Sequence, residues 1–205
     1  MNIFFVHFDA YQAAEELCDK HVVKMIVETA QLLSTAHRLL DGKETIEVRE
    51  TPVYKIHDQW SEEEQCYLPV TVLVGYKKRN VKVWRLDDDR DALLYGASHR
   101  NHPSAIWCRT SVQNYLWLVD HLDGLLQEYT YRYGKVHKTF SLLYTLQTPP
   151  MNLKDWDMTP APSCMPEDCK IGSLTDNYRA YYNKYKSHIH TWKNRPTPDW
   201  IVPPS

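Results

Sequence analysis

Apolar residues recur along the chain with two different spacings. Ile3, Phe4, Phe5 and Val6 form a short unbroken run of strand type, and Asp9 stands in a capping position ahead of a helix-like segment from Ala10 to Leu17. From Asp19 onward, Val22, Met25, Ile26, Ala30, Leu33, Ala36 and Leu40 return every three or four residues. This spacing predicts a long helix that stops at Gly42, the residue type suited to a left-handed stop. A second long helix is predicted after His102 and Pro103, with Tyr115, Leu118, Val119, Leu122, Leu125, Leu126 and Tyr129 as its buried stripe. The two helices are expected to pack together as the core.

Residues 43 to 101 read differently. Thr51-Pro52 interrupts helix, Ser61 to Gln65 is an acidic turn or helix start, and the run from Val70 to Trp84 alternates around Lys77 to Asn80 as a hairpin would. Further on, Lys138 to Leu146 reads as helix, prolines at 149, 150, 160, 162 and 166 impose an extended connection, and a last helix is expected from Leu174 to about Trp192. The predicted fold class is mainly α. It is a single helical domain over 1–205 with a short N-terminal strand, a β-hairpin near 70–85 within an insertion-like region at 43–101, and a Pro-rich tail at 196–205.

Composition narrows the class. The chain has 205 residues, of which 43% are apolar, 24% charged and 12% aromatic, which excludes disorder and a disulfide-stapled miniprotein. Seven Trp and fourteen Tyr against six Gly is an aromatic surplus whose polar tips need partners or a cleft. A net charge of −2 rules out a uniformly basic surface, so any polyanion site must be a local patch. Five cysteines without a C-x-x-C pair, and no leader at the start, point to a reducing cytoplasmic setting. Neither a metal nor a cofactor is expected: Cys164 and Cys169 lack a second ligand pair, and the histidines lack ligand spacing. No apolar run approaches the ~20 residues that span a bilayer, so no membrane partner is expected.

Against that background several polar clusters stand out. Opposite the apolar stripe of the first long helix, His21, Lys24, Glu28, Gln31 and Thr35 share one face. That face is an ordinary wet surface with a Lys24–Glu28 ion pair, or a cleft wall in which Glu28 acts as acid or base beside His21 and Lys24. On the second helix Asn114, Trp117, His121, Glu128 and Arg132 make a comparable stripe, and the two stripes are expected to enclose a shared hollow. After it, Arg132, Lys135, His137 and Lys138 interleave with Tyr129, Tyr131 and Tyr133, cations for phosphate and rings for bases. Between Lys170 and Arg195 six Lys or Arg face one acid, Asp176, which suits a phosphate-bearing ligand. Asn101, His102 and Arg109 flank a helix start with Ser104, a further candidate anion site.

The stretches Cys18 to Gln31, Asn101 to Trp107, Glu128 to Lys138 and Met165-Pro166 resemble a family of phage and bacterial proteins connected with the pyrimidine-dimer DNA glycosylases. The resemblance implies a mostly helical fold and attack on the sugar C1′ by a free N-terminal amine, exposed by removing Met before a small residue, with a glutamate from the first core helix. Glu28 matches that glutamate by role. Asn2 departs from the pattern, because a side chain that large normally leaves Met1 in place.

The resulting expectation is an enzyme acting on a nucleic-acid base or nucleotide, glycosylase-like or pyrimidine-modifying, with DNA as the favoured partner. Glu28, His21 and Lys24 are its catalytic candidates. Asn101, His102, Arg109, Arg132, Lys135 and Lys138 would contact substrate, and Trp107 or Trp117 would stack the base in an aromatic-lined pocket. The alternative is a non-catalytic nucleic-acid-binding phage accessory protein that uses the basic C-terminal helix.

Overall fold

The computed structural model describes residues 2–203. They divide into two compact units, one formed by the chain up to Lys43 together with Trp84 onward, the other by Glu44–Val83.

The first unit is helical. Helix α1 (Ala10–Glu16) starts at Asp9, whose carboxylate accepts from the Gln12 amide at 2.9 Å. Helix α2 (Asp19–Asp41) buries the predicted stripe: Val22, Met25, Ile26, Ala30 and Leu33 are fully sealed. It ends at Gly42, but the glycine is extended (φ −88°) rather than left-handed. Close approach explains the residue: a Cβ there would lie 2.4 Å from the Arg38 carbonyl oxygen.

The second long helix is split. Pro103–Cys108 forms a short α4, then Ser111 caps α5 (Val112–Tyr133), accepting from the Asn114 amide at 3.2 Å. Gly134 closes α5 in the left-handed conformation, at φ 65°. Helices α2 and α5 run antiparallel: Asp19 at the start of one meets Arg132 near the end of the other, while His37 meets Tyr115. Helix α1 crosses α5 closely at Gly124, where an added Cβ would sit 3.0 Å from that of Ala14. A short α3 (Arg90–Leu93), α6 (Phe140–Leu146) and α7 (Leu174–Tyr185) complete the unit. Helix α7 stops seven residues short of Trp192, after a Ser173/Asp176 capping box at its start. The tail packs back: Trp200 donates to Glu16 at 2.8 Å, and Asn183 donates to the Trp200 carbonyl at 3.0 Å.

The expected mainly-α class is corrected to a mixed one, with 43% helix and 19% strand. All of the strand among the described residues lies in one antiparallel hairpin, β1 (Lys43–Ser61) and β2 (Cys66–Arg85), joined by a turn at Glu62–Gln65. It is more than twice as long as the hairpin expected near 70–85, and it turns at 62–65 rather than at Lys77 to Asn80. Thr51-Pro52 hid its first strand, since a proline tolerated at a sheet edge reads as a break. The N-terminal strand is absent as well. Ile3 to Val6 are buried, but Phe4 has φ 53°, which takes the backbone out of the extended region a ladder needs.

Within the second unit, the strands are tied by Glu44–Lys82 (2.7 Å) and Glu50–Lys78 (3.5 Å) pairs, and Trp60 meets Tyr67 beside the turn with ring centroids 5.3 Å apart.

Candidate functional site

The polar face of α2 is where the structure gathers chemistry. Thr35, buried, accepts from the Ser98 amide at 3.1 Å and donates to the Ser98 carbonyl at 3.3 Å, clamping the following loop along the helix. His99 takes a left-handed φ of 46°, and the His102 amide closes the turn on the His99 carbonyl at 2.8 Å. His102 then caps α4, its Nδ1 accepting from the Ser104 amide at 3.2 Å. An accepting Nδ1 leaves the ring proton on Nε2, the neutral tautomer. Burial, aided by His99, lowers the basicity of His102, while the nearby Glu28 carboxylate acts the opposite way.

Glu28 itself is half-buried, with 18% of its side chain exposed, and Lys24 lies 3.4 Å away one turn earlier. On the far side of His102 the contacts continue. Ser104 Oγ is 3.9 Å from the Cys164 sulfur, the Cys164 carbonyl accepts from Asn2 Nδ2 at 2.8 Å, and Tyr178 donates to Asn2 Oδ1 at 2.9 Å. Helix α2, the start of α4, the Pro-rich connection and the N-terminal segment thus converge contact by contact.

One side of this convergence is aromatic and cationic. The His21 ring stacks on Phe4 at 4.3 Å, and Phe4 in turn lies parallel to Tyr181, 6.1 Å away. Lys186 Nζ stands 5.1 Å from the Tyr181 ring centre. His21 Nδ1 and the Tyr182 hydroxyl are 2.6 Å apart. Burial, reinforced by the charges of Lys186 and Lys24, pushes His21 down to about 3, so the ring is neutral at ordinary pH. Phe4 achieves this stacking through its left-handed backbone, a strained arrangement for a residue with a side chain.

The other predicted residues are distributed differently. Asn101, Lys135 and Lys138 are exposed. Arg109 is partly buried; its Nη1 is sealed from solvent without a hydrogen-bond partner among the described residues, and burial lowers its basicity. Trp107 donates to the Thr159 carbonyl at 2.9 Å, and Trp117 to the Phe8 carbonyl at 2.7 Å. Phe5 covers one face of Trp117 at 4.2 Å and His121 stacks on it at 5.2 Å. Arg132 has no exposed side-chain surface and donates to Glu128, Asp19 and the carbonyls of Leu17 and Glu15.

The α5 stripe is therefore packed against α1 and the segments beside it. It does not face Glu28 across a hollow: Trp117, His121 and Arg132 bond to Phe8, Ala10, Leu17 and Glu15 instead. Reading the sequence alone does not single out Phe4, Ser98 or Lys186. Lys186 lay within the recognised basic run; nothing local marks the other two.

The family pattern described as pyrimidine dimer DNA glycosylase matches residues 1–142, which include α2, the His102 loop and α5. Neither a curated protein nor a solved structure matches the chain. With more than half of its length matched, the chain belongs to the pyrimidine dimer DNA glycosylase family.

Proposed function

We propose that this chain releases a damaged pyrimidine base from DNA, with Glu28 as the carboxylate that serves the departing base and the attacking nucleophile. Breaking the C1′–N bond leaves the electron pair on the base and positive charge on the sugar, which a carboxylate held close to C1′ stabilises. The nucleophile that then bonds to C1′ loses a proton to Glu28, which passes it to the departing base and so neutralises the anion left on it. The observation that carries this reading is the seating of Glu28, half-buried between Lys24 and the loop that bears His102.

Lys24 and Lys186 supply positive charge to the backbone phosphates in this reading, with Lys135 and Lys138 further out. His102 donates through Nε2 to the flipped nucleotide, and Tyr181 offers a ring for stacking. A base inside a duplex must leave the stack to reach a half-buried carboxylate, and Tyr181 beside Phe4 is a surface on which it can settle. His21, sealed under Phe4, supports that surface. Trp107, Trp117 and Arg132 hold the frame, and Arg109 and Asn101 flank the His102 loop.

The test is Glu28→Gln, assayed for base release from ultraviolet-irradiated duplex DNA. Turnover should fall by at least about 100-fold, the usual scale for loss of a positioned acid or base. Melting temperature and DNA retention should stay close to those of the unaltered chain. Undiminished turnover would remove Glu28 from the mechanism. Borohydride added during turnover shows which nucleophile operates, because it captures a covalent DNA–protein adduct only if an amine attacks C1′.

A further inference from the structure

The hairpin of the second unit poses a physical problem. Two strands alone are marginal in water, and stability normally requires a third strand or a helix against one face. Here nearly every residue from Glu44 to Tyr76 is exposed, including Ile46 (66%), Val48, Tyr54, Ile56 (72%), Val72 and Tyr76. Strand alternation places Ile46, Val48, Tyr54 and Ile56 on one face of β1. Apolar side chains exposed in succession along both strands are what marks an interaction surface.

Charge selects the occupant. The turn end of the ribbon is acidic, with Asp58, Glu62, Glu63 and Glu64 against Lys55 alone. The open end is basic in excess: Arg49, Lys78 and Lys82 pair with Glu47, Glu50 and Glu44, and Lys77 and Arg79 are left over. A ribbon with opposite charge at its two ends complements a second copy of itself turned end for end, as a two-fold axis requires. Nucleic acid would instead meet the acidic turn, where like charges repel. Prolines interrupt both strands, Pro52 in β1 and Pro69 in β2, which disfavours continuing the ladder from an edge and leaves face-to-face packing.

We infer that the Glu44–Val83 ribbon is a homodimerisation surface, on which two copies pack their apolar faces head to tail, the acidic turn of one against the basic open end of the other. The inference does not depend on the reaction proposed for Glu28.

Analytical ultracentrifugation of the full chain should find a dimer at micromolar concentration. Reversing the turn (Glu62→Lys, Glu63→Lys and Glu64→Lys together) should give monomers, as should reversing the open end (Lys77→Glu, Lys78→Glu and Arg79→Glu together). Mixing the two variants should restore a dimer containing one of each, which also shows that both remain folded. A monomeric unaltered chain, or a dimer indifferent to both reversals, would overturn the proposal. So would a monomer whose DNA retention is lost on Ile56→Lys, which would assign the ribbon to nucleic acid.

Discussion

Three histidines in this protein are imidazoles that the interior keeps uncharged. Burial pushes His21 down to about 3, and His37 and His121 down to about 4. The unfolded chain takes up these protons near pH 6.5, the folded chain only near pH 3 to 4, so their contribution to stability is complete above pH 6.5 and is lost as pH falls through that interval. Each ring accounts for on the order of a few kcal/mol at the acid end. Thermal melting followed from pH 7.5 down to 4.5 should therefore show a progressive fall, before Asp91, whose carboxyl the Leu86 amide holds low, begins to titrate. A flat profile would contradict the burial of these rings. Of the three, His21 and His121 stand in the sequence as polar positions beside a stripe. Nothing in spacing distinguishes a histidine facing water from one that is sealed, because the groups that close over these two rings, Phe4 over His21 and the Ala10 carbonyl over His121, come from other segments.

At the scale of elements, helices were legible where apolar periodicity and a cap agreed: Asp9 before α1 and the apolar stripes of α2 and α5. Legibility failed where a tertiary partner decided. The polar stripe of α5 was read as half of a cleft, yet its donors reach α1 and its neighbours, Trp117 to Phe8, His121 to Ala10 and Arg132 to Leu17 and Glu15. That docking depends on the close crossing at Gly124. Gly124→Ala improves helix propensity by about 1 kcal/mol but forces a methyl against Ala14 and Tyr11, where overpacking costs typically 1–3 kcal/mol. The expected result is a net loss of about 1 kcal/mol, seen as a melting temperature lowered by roughly 2–4 °C. A more stable variant would mean that α1 yields easily.

For the whole molecule, the near-neutral sum of charges conceals a local arrangement. Four of the six cations of the C-terminal basic run are engaged in ion pairs: Lys170 with Glu167, Arg179 with Glu16, Lys184 with Asp168, and Arg195 with Glu128 and Glu15. Lys24 and Lys186 both act on His21, and Lys24 also lies 3.4 Å from Glu28. If they meet phosphates, the double variant Lys24→Ala/Lys186→Ala should weaken duplex binding equally for all sequences. It should also reduce the slope of log affinity against log salt by about two. Fluorescence anisotropy across a salt series measures this, and an unchanged slope would place the phosphate contacts elsewhere. The basic segment was thus legible as a composition, whereas the division between paired and available cations was not.

The ties between the two ends of the chain also bear on how it is made. Asn2 is bonded to Tyr178, Val6 to Arg179, and Glu16 to Trp192 and Trp200. None of these bonds can form while the later partner is still inside the ribosome, and contacts between such distant positions are slow to close. Asn2 and Val6 must therefore wait for α7 before their partners exist, although α1 can dock on α5 earlier. A nascent chain stalled before Arg179 would present Phe4 and Phe5 to chaperones rather than a finished seam.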